Sequence, residues 1–181
     1  RSGFYTGPYE REIIRPNLNQ TFEKLVYDVT ISSAMIDSLD NSQNIGPKSK
    51  HGKKNKKSST INENHARELL ELHTVSPAAG YTQEDITQLA YIMTGWMSGY
   101  SKSTSDTLPV EFNKDRHQAG KKTVFGKTYK EKKKGLANVI KDLVNHPDCR
   151  DFIATKLCRY LITDNPTEEM KKPIIKAFKD S

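Results

Sequence analysis

Thirteen consecutive residues, Asn62-Glu63-Asn64-His65-Ala66-Arg67-Glu68-Leu69-Leu70-Glu71-Leu72-His73-Thr74, contain no glycine or proline, and their one β-branched residue is the last. Such a run is built for a helix. At about 100° per residue, Ala66, Leu69, Leu70 and Leu72 share an arc with His65 and His73. Glu63, Asn64, Arg67, Glu68 and Glu71 fall in the opposite arc. Arg67 is four residues from both Glu63 and Glu71, so it can pair along the helix in either direction. The chain is organised around a rod with two imidazoles on its apolar side and a carboxylate–guanidinium ladder on its polar side.

A surface helix laced with ion pairs is the plainest account of this pattern, each pair being worth a few tenths of a kcal/mol. Asn62 and Asn64 add fixed hydrogen-bond geometry that a solvated face does not need. Asn62, Glu63, Asn64, Arg67, Glu68, Glu71 and His73 therefore form a candidate polar site. An imidazolium at His73 is favoured by the helix C-terminus and opposed by burial. A satisfied core histidine is the simpler reading of it.

The flanking sequence predicts a mainly α, multi-helix domain spanning 1–181, arranged as a helical bundle. Residues 1–16 are rich in Gly and Pro, with a helical turn over Tyr9–Ile14 ended by Pro16. A helix follows from about Leu18, with Phe22, Leu25, Val26 and Val29 at core spacing and a break near Ser32-Ser33. Thr82-Gln83-Glu84-Asp85 reads as a capping box opening a helix with Ile86, Leu89, Ala90 and Met93 on its apolar face, reaching Trp96 or Met97. The short connector before it, with Pro77 and Gly80, predicts antiparallel packing on the central helix. Asp85 is a helix cap first and a site carboxylate second.

Gly99–Pro109 reads as loop. Pro109–Phe112 and Lys122–Phe125 are strand candidates, and a small β-hairpin is expected around 109–126 with His117 in its turn. Leu136, Val139, Ile140 and Leu143 mark a further helix, and Pro147 opens the next. In that helix Phe152, Ile153, Lys156, Leu157, Tyr160 and Leu161 make one broad face. A last element begins at Thr167 and meets Pro173.

The net charge of +7 is local. Residues 48–57 hold six lysines and no acid, and residues 121–134 hold seven lysines and one glutamate; outside them the chain sums to −5. The segment 47–60 reads as a flexible, lysine-rich loop. Its charge suits a phosphate backbone, but no aromatic residue is interleaved for stacking, so a solvated loop is preferred to a nucleic-acid tract. Cys149 and Cys158 are about 13 Å apart if on one helix, too far for a disulfide, and lack zinc spacing. They read as buried thiols. No apolar run approaches the ~18 residues of a membrane span. No phosphate loop, HExxH, GxSxG elbow or dinucleotide fingerprint is present, so no cofactor or metal is implied.

The motif Asn62-Glu63-Asn64-x-Ala66-Arg67-Glu68-Leu69-Leu70-Glu71-Leu72-His73-Thr74, with Gly80-Tyr81-Thr82-Gln83-Glu84-Asp85 and Thr94-Gly95-Trp96, resembles the bacterial domain of unknown function 1800 family. Ile14-Arg15-Pro16, Leu39-Asp40-Asn41, Phe112, His117, Gly120-x-Lys122-Thr123, His146-Pro147 and Phe152–Arg159 extend the resemblance over nearly the whole chain. It implies a helical domain of unassigned activity that continues beyond both ends of this sequence, where any export leader would lie. It adds Trp96 and His117 to the candidate site and suggests a sulfatase-like protein of unknown function as partner, because family members are often encoded beside one. Two departures weaken a metal or His–Asp centre. Gln118 stands where the family usually has aspartate after the histidine, and Glu68 is five residues from His73 instead of three.

Three functions follow from these readings. One is an enzyme or anion-binding site using Arg67, Glu68, Glu71 and a histidine. Another is nucleic-acid binding through the lysine runs. The third, preferred because no complete catalytic set assembles, is a structural or partner-binding domain in which the polar face fixes helix register.

Overall fold

In a computed structural model, residues 6–56, 59–99, 110–130 and 132–180 are described. The architecture is mainly α. Helix α1 (Thr6–Tyr9) runs through a π-turn, Glu10–Ile14, into α2 (Arg15–Asn17). Pro16 does not end this helix as expected; it sits inside the continuous helical run, directly after the π-turn. The next helix starts later than Leu18: α3 (Phe22–Thr30) begins after Thr21, whose hydroxyl accepts from Lys24 N at 3.2 Å. Ser32 then caps α4 (Ser33–Ser38), producing the anticipated break.

The lysine-rich segment contains one turn of regular structure. Ser49 caps a short helix, α5 (Lys50–Lys54), with its hydroxyl accepting from Gly52 N at 2.9 Å. The segment is held from outside. Gly46 N donates to Arg116 O, His51 N to Asp115 O and Lys48 N to Gln118 Oε1. Gly52 has no room for a side chain, since a Cβ would stand 2.2 Å from the Gly46 carbonyl oxygen. Residues 57 and 58 of this segment, residues 100–109 of the expected loop, and Pro109 of the first strand candidate lie outside the described residues.

The central rod comprises α6 (Asn64–Glu68) and a π-helical continuation, Leu69–His73. Helix α7 (Gln83–Met93) carries the full capping box between Thr82 and Asp85. It runs antiparallel to α6: Arg67 reaches Gln83 near the start of α7, whereas Glu63 reaches Thr87 further along. Two buried asparagines finish its C-terminal end. Asn41 Nδ2 donates to Met93 O, a carbonyl at the helix end, and to Trp96 O of the strand that follows, and Asn44 Nδ2 donates to Ala90 O, which also accepts from Thr94 N.

Both strand candidates are strands, but they do not pair with each other. Strand β1 (Trp96–Ser98) pairs antiparallel with β2 (Val110–Phe112), Trp96 opposite Phe112. Strand β3 (Lys122–Val124) turns at once into β4 (Lys127–Tyr129), Val124 opposite Lys127. Phe125 and Gly126 both have positive φ, 47° and 71°, as the tight hairpin turn requires. That turn closes β3 onto its successor and leaves β2 to β1.

Helix α8 (Lys134–Asn145) buries Leu136, Val139, Ile140 and Leu143 against α3 and α7. Helix α9 (Pro147–Leu161) follows, and α10 (Glu168–Asp180) carries Pro173 within it. In α9 the buried residues are Cys149, Ala154 and Cys158. The broad face read from the sequence is not packed at its end: Leu157, Tyr160 and Leu161 are exposed. One apolar core joins α3, α4, α6 and its π-turn, α7, the hairpin, α8 and the start of α9. Among the described residues no helix is long and apolar enough to cross a membrane.

Candidate functional site

The polar side of α6 is built around Glu63. Its Oε1 accepts from the Thr87 hydroxyl at 2.6 Å, and its Oε2 accepts from Gln83 Nε2 at 2.7 Å and from Arg67 at 3.4 Å. Arg67 also donates to Gln83 Oε1 at 3.3 Å. Of the two carboxylates open to it, Arg67 takes Glu63. Asn62 ties the entry to the helix: its N–H donates to Asn44 Oδ1, its amide to Asp40 O, and its Oδ1 accepts from Asn64 N. The Asn64 side chain is exposed. Glu68 and Glu71 are half-buried beside Tyr81, whose phenol is held above its ordinary pKa by burial and by the charge of Glu71, with Arg67 acting the other way.

On the other side, His65 is fully buried and neither ring nitrogen has a hydrogen-bond partner. Burial, with His73 nearby, drives its pKa down to about 3, so it is an uncharged core residue at neutral pH. His73 is half-buried, its pKa also lowered by burial and then by Lys156. Leu72, assigned to the apolar arc from the sequence, is 48% exposed, while Leu69 and Leu70 are fully buried. The π-helical turn explains the difference, because its i→i+5 bonding gives fewer degrees per residue than the α-helical step.

A second polar cluster surrounds His117. Its Nδ1 lies 2.8 Å from Thr94 O, and its Nε2 lies 3.2 Å from Lys132 N and 3.3 Å from Lys122 Nζ. This is the pattern of an imidazole with its proton on Nδ1, donating to the carbonyl and accepting at Nε2. The buried Lys122 ammonium also donates to the Gln118 carbonyl. Gln118 N donates to the Thr94 hydroxyl at 2.8 Å. Phe112 lies between the His117 ring, tilted 56° to it at 5.1 Å, and Trp96, which it meets edge-to-face at 5.4 Å. Gly95 makes the approach feasible: its φ is 88°, and a Cβ there would lie 2.6 Å from Asn113 O. Trp96 is buried, with Lys133 Nζ 5.6 Å from its ring centroid.

Asp85 belongs to neither cluster. Oδ2 accepts from Thr82 N and the Thr82 hydroxyl, while Oδ1 accepts from Phe125 N at 2.8 Å, fixing the hairpin turn to α7. Burial raises its pKa, but these hydrogen bonds outweigh it and the carboxyl titrates below its ordinary value.

One family model, described as a protein of unknown function (DUF1800), matches residues 1–181. The chain belongs to the DUF1800 family. Searches among curated proteins and among solved structures gave no significant match.

In this DUF1800 chain the expected site residues divide. Glu63 and Arg67 meet α7, Asn62 joins the turn at Asp40–Asn44, Trp96 and His117 meet through Phe112, and Asp85 serves the hairpin. Of four cavities of about 230 to 530 Å³ on the described surface, none is lined by Arg67, Glu68, Glu71 or His117, while His73 lines one beside α3. Among the described residues no three His, Cys, Asp or Glu side chains converge as a metal set. Sequence reasoning missed Thr87 and Gln83 as partners of Glu63, and Asn41 and Asn44 as caps. The i,i+4 spacing of Gln83 and Thr87 on a helix opposed to α6 was the available signal.

Proposed function

We propose that this DUF1800 chain is a non-catalytic, partner-binding helical domain. Its central polar face sets the register of α6 against α7, and its binding surface is the end of α9. The reading rests on one observation: Leu157, Tyr160 and Leu161 recur at i, i+3 and i+4, with Tyr160 88%, Leu161 71% and Ile162 62% exposed. An apolar group of this size left in water at a helix end marks an interaction surface more often than an accident of folding. Tyrosine beside leucine is also the composition of interface anchors. The engagement of Glu63 by three donors supports the non-catalytic half, because a carboxylate so occupied has little capacity to act as base or nucleophile.

The sulfatase-like protein suggested by family resemblance is the candidate occupant. The test is binding between the two purified proteins, measured by calorimetry. The wild type is expected to bind, and a Tyr160→Ser/Leu161→Ser variant is expected to bind about tenfold or more weakly with an unchanged melting temperature. Absence of wild-type binding, or equal affinity of the variant, contradicts the proposal.

A further inference from the structure

The second lysine run folds into a cavity. About 500 Å³ of space lies between the β3–β4 hairpin and the start of α8, walled by Lys121, Lys130, Lys132, Lys134, Gly135 and Asn138. The volume is in the range of small-molecule sites, roughly 300–1,000 Å³. Some lysines elsewhere on the surface are matched with acids: Lys24 with Asp28, Lys50 with Asp115, Lys127 with Asp142 and Lys171 with Asp151. Among the described residues none of the four cavity lysines has such a partner, and no carboxylate lines the space. Four lysines share the walls of one concavity; their like charges repel one another, and an anion placed among them relieves that repulsion.

The walls are also built, at a cost to the backbone. Lys132 has φ of 100°, a conformation that a side-chain-bearing residue rarely adopts. It is held there because its N–H donates to His117 Nε2, whose ring is anchored on Thr94. Gly135 lets the chain after β4 lie against α8, where a Cβ would stand 3.0 Å from Lys130 O. Asn138 is one turn beyond Lys134 on the same face of α8 and also lines the space. Helix α8 carries neither a side-chain cap nor an acid in its first turn, so nothing from that turn neutralises the site.

We propose that this cavity binds a phosphate-bearing anion of small-molecule size. Lysine ammonium groups, each with three N–H donors, suit the several oxygens of a phosphate group, and Asn138 adds a neutral amide to the walls. Among the described residues no aromatic side chain lines the space, which therefore lacks the stacking platform of a single-strand nucleic-acid groove. His117, singled out from the sequence, acts here as the post that positions Lys132. Lys122 faces the Gln118 carbonyl and the His117 ring and does not wall the cavity.

The test is titration of the purified chain with inorganic pyrophosphate, followed by amide chemical shifts and by calorimetry. A short single-stranded oligonucleotide is titrated in parallel. The expected result is saturable shifts at Lys121 and from Lys132 to Asn138. Lys121→Ala/Lys134→Ala is expected to weaken binding about tenfold or more. Lys132→Gly, which suits the left-handed backbone, is expected to weaken binding while the melting temperature holds or rises. A control, Lys50→Ala/Lys53→Ala, leaves affinity unchanged. No saturable shift, or equal weakening by the control, overturns the proposal. Oligonucleotide binding without pyrophosphate binding overturns it in favour of a nucleic-acid surface.

Discussion

The Thr87 hydroxyl of α7 donates to the Glu63 carboxylate of α6 across 2.6 Å, and Gln83 donates to the same carboxylate from one turn earlier. These two bonds connect the helices together with a weaker one of 3.3 Å from Arg67 to Gln83 Oε1, whereas the Arg67–Glu63 ion pair runs along the same helix. The Arg67 contact is longer, at 3.4 Å, and 40% of the arginine side chain is exposed, so solvent screens it. Arg67→Met is therefore expected to change stability by less than about 0.5 kcal/mol, measured by urea unfolding. A loss several times larger would mean that the ladder itself holds the fold.

His65 makes stability depend on pH. An unfolded imidazole titrates near 6.5 and the folded one at about 3, so the unfolded state binds more protons between these values. Stability from this group is complete above about pH 6.5 and falls as pH drops toward 3, by about 1.4 kcal/mol per pH unit. His65→Leu, similar in size and without an unpartnered polar atom, should be more stable than wild type by about 2 kcal/mol near pH 5, relative to their difference near pH 8. Parallel unfolding free energies for the two proteins across that range would show that His65 is not buried uncharged.

Asp85 joins two elements with one side chain, so its loss should exceed that of an ordinary cap. Asp85→Ala removes the capping-box bond to Thr82 and the bond from Phe125 N. A cost of about 2 kcal/mol is expected, together with loss of hydrogen-exchange protection at Phe125. Because its folded pKa is depressed, the contribution is present above the ordinary carboxyl value of 3.8 and disappears as pH falls below it. An undisturbed Phe125 amide would remove the proposed link.

The two cysteines should behave as inert core. Cys149 and Cys158 are fully buried and free, and burial pushes the Cys149 thiol up to about 12. Neither is expected to react with an aromatic disulfide reagent until the chain unfolds, and the reaction rate should follow the unfolding equilibrium. Fast modification of the native protein would place a thiol at the surface.

The helices were legible wherever a cap and an apolar period agreed. Thr82 with Asp85, Pro147, and the face from Leu136 to Leu143 each have one local reading, and the fold honours it. Leu72 and the strand pairing were not legible, for different reasons. The π-turn at Leu69–His73 breaks the 100° step on which face assignment depends, and no composition signal marks it. The Phe125-Gly126 turn hides because phenylalanine is an unusual residue at positive φ; Asp85 and packing hold it there. The candidate site divided because spacing along one helix reveals its own face but not the partner. Glu63 and Arg67 were visible as a pair, whereas Gln83 and Thr87 enter only when α7 is laid antiparallel on α6. Similarly, the cavity lysines were visible as a charge run, but their convergence depends on the hairpin returning to α8.

A double-mutant cycle between Glu63→Ala and Thr87→Val, read by urea unfolding at neutral pH, tests most directly whether the polar face of α6 is a joint between helices. A coupling energy of about 1 kcal/mol or more is predicted, with each single variant destabilised. Strictly additive effects, with Glu63→Ala as stable as wild type, would contradict it.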